Sequence, residues 1–216
     1  VEKKEYFSSK SIYQKSGQML EKIKALGLAH TDSKLELKKA ALLVLDLQKY
    51  FFSNESHAYI PSASAIIPNI LNLLEVFKSN NRPIFFSKHC NDQNSAGMMA
   101  IWWKDLIKKN SEMSNLINEI DGWNGTIIQK ERYDAFWQTP LEEYLINNGI
   151  EQVVICGVMT HLCCETTARS AFMRDFEVFF TIDGTATYSE ELHMASLLTL
   201  AHGFAKTILC TEIASK

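Results

Sequence analysis

The residues able to do chemistry fall at the ends of apolar runs. Asp46 closes the run 41–46 (ALLVLD), Lys130 follows 126–129 (TIIQ), and Cys163 comes shortly after 152–156 (QVVIC). Each has an ordinary reading when taken alone. A carboxylate at a strand end forms a turn or caps a helix, a lysine there is a solvated end, and a cysteine packs as a small apolar residue. Cys163 carries more information than the other two. Gly157 offers a tight turn and a helix is expected to begin near Thr160 or His161, which puts Cys163 in the first turn. Backbone N–H groups and the helix dipole favour negative charge there, so the thiolate is expected to form more easily than that of a free cysteine at about 8.5. The same N–H groups can hold an oxyanion. Cys156, Cys164 and Cys210 fit the packing reading, in apolar runs or on a core-facing stripe. In combination, the carboxylate accepts the thiol proton while the ammonium keeps the carboxylate ionised and balances the new thiolate.

These three residues are far apart in sequence, so the fold must gather them. Six short apolar runs stand out, at 41–46, 83–87, 126–129, 152–156, 177–182 and 205–210. They do not alternate apolar with polar residues, which predicts strands covered on both faces. Helical periodicity lies between most of them. Segment 63–80 carries Ile66, Ile67, Ile70, Leu73, Leu74 and Phe77 on one stripe. Segment 140–148 begins with a capping-box pattern, Thr139-Pro140-Leu141-Glu142, and ends at Asn148-Gly149. Segments 161–175 and 189–202 are the other long helices. The order predicts a three-layer α/β/α fold with a central parallel six-stranded sheet, doubly wound, and ligands bind such sheets outside the carboxyl ends of the strands. Residues 1–39 read as an N-terminal helical extension, with Ile12, Met19, Ile23 and Leu26 at helical spacing, and 40–216 as the α/β domain.

Composition narrows the functional class. The 216 residues are 46% hydrophobic with a net charge of −3, which supports a large core and gives no electrostatic case for nucleic acid. The apolar runs are too short to span a bilayer. An odd cysteine count and an N-terminus without an apolar signal segment predict reduced thiols in a cytoplasmic protein.

Three stretches, VLDLQKYFF (44–52), QKERYDAF (129–136) and GVMTHLCCETTARSAFMRD (157–175), together with the tail at 183–213, resemble the isochorismatase-like, or cysteine hydrolase, family. The resemblance covers about residues 40–213 and implies that Asp46, Lys130 and Cys163 are the catalytic Asp, Lys and Cys. It also implies a cis peptide between Val158 and Met159, which in relatives helps aim backbone N–H groups, here those of Met159 and Cys163, at an oxyanion. The C-terminal half is similar to the isochorismatase branch. That branch tends to carry glycine at the position of Cys163 and cleaves a vinyl ether with the aspartate as general acid. The nicotinamidase branch holds a metal with an Asp-x-His pair and a further His. Here His57 and His89 are far apart and Asp92 lacks a His two positions on, so no metal site and no cofactor are expected.

The leading expectation is a hydrolase cleaving an amide or related C–N bond of a small molecule through Cys163. The rival is isochorismate hydrolysis with Asp46 as general acid, and a third reading is a non-enzymatic binding module. A papain-like pairing is set aside because His193 and His202 lie on one helix behind the active face. Phe51, His89, Trp103, Tyr133 and Phe136 are the expected substrate pocket, with Tyr50 beside them. Lys88 and Arg169 are read as solvated charges. Segment 95–108, with Met98, Met99, Trp102 and Trp103, is either a lid or subunit contact, or a helix on its own core. The partners expected are a small-molecule substrate and further copies of the chain, with no nucleic acid and no membrane.

Overall fold

The computed structural model describes residues 2–30, 32–103 and 105–214. Six strands, β1 (Ala40–Leu45), β2 (Ile84–His89), β3 (Thr126–Lys130), β4 (Gln152–Val158), β5 (Glu177–Ala186) and β6 (Lys206–Ile208), form one parallel sheet in the order β3-β2-β1-β4-β5-β6. This is the three-layer doubly wound architecture read from the sequence. Every residue of β1 and β4 is buried, because helices cover both faces of the central strands. β3 departs from that pattern. It lies at the sheet edge and its burial alternates, leaving Ile127 56% exposed. β5 runs four residues past the predicted run, since Thr185 and Ala186 resume the pairing with β4, opposite Gly157 and Val158, after a register shift. The expected sixth run instead splits into short β6 and a terminal helix beginning at Cys210.

The helices are α1 (Ile12–Ala25), α2 (Lys49–Phe52), α3 (Ala63–Ser79), α4 (Met98–Trp102), α5 (Leu141–Asn147), α6 (Glu165–Phe172), α7 (Glu190–Gly203) and α8 (Cys210–Ala214). The stripe Ile66, Ile67, Ile70, Leu73, Leu74 and Phe77 is buried along α3, as its periodicity requires. α5 lacks the reciprocal capping box. Thr139 Oγ1 accepts the Leu141 N–H at 3.3 Å, but Glu142 turns away to pair with Arg174. Its C-terminal reading holds: Gly149 has φ +62 and the Ile150 N–H returns to the Leu145 carbonyl at 3.0 Å. The N-terminal segment is packed into the core, with Tyr6, Phe7, Ile12, Met19, Leu20 and Ile23 buried, whereas Leu26 is 57% exposed. No helix among the described residues is long and apolar enough to cross a membrane.

Strand order reverses between β1 and β4, and a crevice opens outside their carboxyl ends. At that point β1 and β4 approach very closely. Gly157 has φ +119, and a Cβ there would lie 2.1 Å from the Leu45 carbonyl oxygen. Only glycine permits that approach.

Candidate active site

Asp46, Lys130 and Cys163 reach one point from three neighbouring parts of the sheet. Asp46 follows β1 with φ +53 and is fully buried. A left-handed backbone at a non-glycine residue turns the chain sharply and persists only where surroundings hold it. The Ser87 hydroxyl of β2 supplies that hold. It donates to Asp46 Oδ1 at 2.6 Å and accepts the Asp46 N–H at 3.1 Å. Lys130 ends β3 opposite His89, and all three of its ammonium protons are used. Nζ lies 2.8 Å from Asp46 Oδ2, 3.3 Å from Cys163 Sγ and 3.0 Å from the Arg132 carbonyl. After β4 the Val158-Met159 peptide is cis. A π-helical turn, Thr160–Cys164, then leads into α6, closed by the Leu162 and Cys164 N–H groups donating to the Met159 carbonyl at 3.1 and 3.2 Å. Cys163 sits in that turn and is buried.

Electrostatics set the resting protonation. Burial pushes the Asp46 carboxyl up, but the Lys130 ammonium, His89 and the hydrogen bonds outweigh it and hold Asp46 below the usual carboxylate range. Burial likewise opposes the Lys130 charge, and Asp46 and Cys163 overcome it, so Lys130 stays protonated. Cys163 differs from the sequence expectation. Burial first, and the Asp46 charge second, push its thiol up, against a smaller opposing pull from Lys130. Desolvation outweighs the help of the helix start in this closed site. The resting cluster is therefore carboxylate, ammonium and neutral thiol.

His89 is the fourth member. Its Nε2 donates to Asn91 Oδ1 at 2.8 Å, which leaves Nδ1 as a buried acceptor with no hydrogen-bond partner among the described residues. Burial and the Lys130 charge lower it to about 4, so the ring is neutral. Donor atoms of Asp46, His89 and Cys163 lie within 4.8 Å of one another, a spacing that suits a metal. Lys130 already supplies a fixed positive charge bonded to two of the three, so a second cation would meet its repulsion. The donor set fits proton transfer better than metal binding.

A cavity opens above the cluster. Phe51, His89, Trp103 and Tyr133 line it, together with Met159, Cys163 and Tyr50. Trp103 is fixed by its indole N–H donating to Tyr133 Oη at 2.6 Å. Phe136 is the exception among the expected pocket residues. It is buried in the core, stacked on Phe176 at 6.0 Å beneath the Arg174 guanidinium, because the turn after Tyr133 carries it away from the crevice. Among the described residues of segment 95–108, only Met98–Trp102 are helical. Met99 and Trp103 face the cavity, while Met98, Ile101 and Trp102 stand exposed.

Sequence separation kept His57 out of the expected site, yet it lines the same cavity as His89. Its Nδ1 meets Tyr50 Oη at 2.8 Å and Asp105 Oδ2 at 3.1 Å. Ser87 was also missed, although a serine within an otherwise apolar strand was a visible signal. His193 is buried behind the site, as its helix position implied, and all five cysteines are free thiols.

Residues 40–212 match the family described as Isochorismatase domain. Nicotinamidase 3 of Arabidopsis thaliana is 40% identical over 181 residues, covering 82% of this chain and 87% of that protein. Enterobactin synthase component B of Escherichia coli K12 is 31% identical over 185 residues, covering 84% of this chain and 65% of that protein, just under two thirds of its length. Among solved structures, a cysteine hydrolase from Pseudomonas syringae pv. phaseolicola has a TM-score of 0.80 at 22% identity, covering 84% of this chain and 93% of that one, a likeness of fold.

Proposed function

The chain belongs to the isochorismatase family and is a hydrolase, and we propose that it hydrolyses a small, neutral aromatic carboxamide of the nicotinamide type through Cys163. The observation carrying this reading is a Lys130-braced thiol beside an ionised carboxylate, at the base of a cavity whose described lining holds no lysine or arginine. Isochorismate carries two carboxylates. Burying them beside Asp105 with no cation to meet them is costly. A neutral aromatic amide meets Phe51, Trp103 and Tyr133 instead, and the name of the 40% identical relative, a nicotinamidase, points the same way.

The substrate carbonyl carbon lies over Sγ, its oxygen toward the Met159 and Cys163 N–H groups. Asp46 takes the thiol proton as Sγ attacks, and Lys130 balances the charge as it passes from oxygen to sulfur. The tetrahedral intermediate collapses as Asp46 returns the proton to the leaving nitrogen, releasing ammonia and leaving a thioester. Asp46, again ionised, accepts a proton from water as the water attacks the thioester, then returns it to sulfur, and the carboxylic acid departs. His89 Nδ1 offers an acceptor for a substrate amide N–H. Five free thiols also support a reducing, cytoplasmic location, and the exposed Met98, Ile101 and Trp102 support contact between copies.

The test is to supply nicotinamide and isochorismate separately and follow ammonia and pyruvate. Ammonia release from nicotinamide supports the reading. Pyruvate release from isochorismate without ammonia from nicotinamide overturns it in favour of the vinyl-ether reaction.

A further inference from the structure

Residues 3–7 lie outside the stretch that matches the family, yet they are bonded to the back of the site. Lys4 donates its N–H to the Tyr188 carbonyl at 2.8 Å, and the Tyr6 and Phe7 N–H groups both donate to Ser62 Oγ, at 2.9 and 3.0 Å. The segment thereby bridges the start of α3 and the end of β5. Lys3 Nζ donates to the carbonyl of His57 on the cavity wall and stands 4.8 Å above the Tyr188 ring.

Tyr6 reaches furthest inward. Its hydroxyl oxygen accepts the Thr187 N–H at 3.0 Å and meets His193 Nδ1 at 3.0 Å. Thr160 Oγ1 meets the same nitrogen at 2.9 Å. Thr160 opens the π-helical turn that ends with Cys163 and Cys164, and the next residue, His161, is joined to Thr187 Oγ1 at 2.6 Å. Tyr6 is 4% exposed, and Thr160, Thr187 and His193 are fully buried. The Tyr6 and Phe7 rings pack on the imidazole with centroids at 5.2 and 5.3 Å. Water is therefore excluded, and each polar group depends on the others for partners. Burial keeps the His193 ring neutral, at about 3, and raises Tyr6, so the phenol remains a donor.

We propose that Tyr6 is a positioning residue which, through His193 and Thr160, fixes the turn carrying Met159 and Cys163 at the distance from Asp46 and Lys130 that thiol attack needs. The N-terminal segment thus completes the catalytic architecture of the family domain. This rests on Cys163 being the nucleophile. Because Tyr6 lies behind the turn and not among the cavity-lining residues, its hydroxyl affects the chemical step and not substrate binding.

The test compares Tyr6→Phe, which keeps the ring and removes the hydroxyl, with wild type in nicotinamide hydrolysis, circular dichroism confirming that each is folded at the assay temperature. The expected result is a fall in kcat of roughly 10- to 100-fold with KM within about twofold. An unchanged kcat in folded Tyr6→Phe overturns the proposal, as does a loss confined to KM. Thr160→Val and Thr160→Ser provide a second pair should Tyr6→Phe not fold. Thr160→Val is expected to show the same loss in kcat and Thr160→Ser to restore it, and equal activity in the two overturns the proposal. A wild type that releases no ammonia defeats the amidase reading alone. The positioning claim is then read from alkylation of the Cys163 peptide by iodoacetamide. That rate is expected to drop severalfold in Tyr6→Phe and Thr160→Val, and equal rates in all variants overturn it.

Discussion

Replacing Lys130 by methionine removes a buried ammonium from between a buried carboxylate and a buried thiol at nearly constant volume. Asp46 and Lys130 side chains are both 0% exposed and 2.8 Å apart. Breaking such a pair from one side is expected to cost about 3–5 kcal/mol, because the surviving charge is left uncompensated. The variant can escape by protonating Asp46. At pH 7 that costs about 4 kcal/mol for a carboxyl whose unfolded pKa is near 3.9, and at pH 5 about 1.5 kcal/mol. In the wild type Asp46 is depressed, so its contribution is present above the unfolded pKa and lost only as pH falls through the lower folded value. In Lys130→Met the folded pKa is raised, so stability declines as pH rises above about 4. Urea denaturation of both proteins at pH 7 and pH 5 measures the difference. The expected gap is about 4 kcal/mol at pH 7, narrowing by roughly 2–3 kcal/mol at pH 5. Thermal melts should show a drop of about 8–16 °C at pH 7. A gap below about 1 kcal/mol at pH 7, or one equal at both pH values, refutes the claim that Lys130 is what keeps Asp46 ionised.

Other perturbations separate the parts of the site. The pH profile of kcat/KM should be flat between about pH 5.5 and 8, because Asp46 is already ionised, His89 is held near 4 and Cys163 is pushed up. An inflection near the ordinary histidine value would contradict that assignment. Trp103→Ala should raise KM roughly tenfold with a smaller change in kcat, since the indole forms cavity wall but lies outside the reacting cluster, and initial-rate kinetics decide it. Gly157→Ala forces a methyl against the Leu45 carbonyl at a positive φ and should cost more than about 3 kcal/mol. Denaturation within about 1 kcal/mol of wild type would mean that β1 and β4 do not approach as described.

Much of the fold was legible because buried parallel strands announce themselves as unbroken apolar runs and α3 as a broad stripe. The edge strand β3 was legible only as a run, since burial on one side depends on what fails to cover it. The ends of β5 and β6 were misjudged where Asp183 and Cys210, a polar residue inside a strand and an apolar one outside, reverse the usual correspondence. Asp46, Lys130 and Cys163 could be paired by their positions at strand ends together with the family resemblance. Their ionisation could not, because a helix-start argument counts the dipole and not the depth of burial that raises Cys163. Phe136 was placed in the pocket by proximity to Tyr133, whereas the turn between them sends one ring to the crevice and the other to the core. His57 and Tyr6 join the site through contacts spanning long stretches of sequence, which no local pattern reports.

Thiol-dependent amide hydrolysis stands or falls on the covalent step. Wild-type protein mixed with nicotinamide, acid-quenched within the first turnover and digested, should yield a Cys163 peptide carrying one nicotinoyl group. Asp46→Asn should yield none. A wild type that turns nicotinamide over while this peptide stays unmodified, with the same rate in Cys163→Ala, would show that the thiol is a bystander.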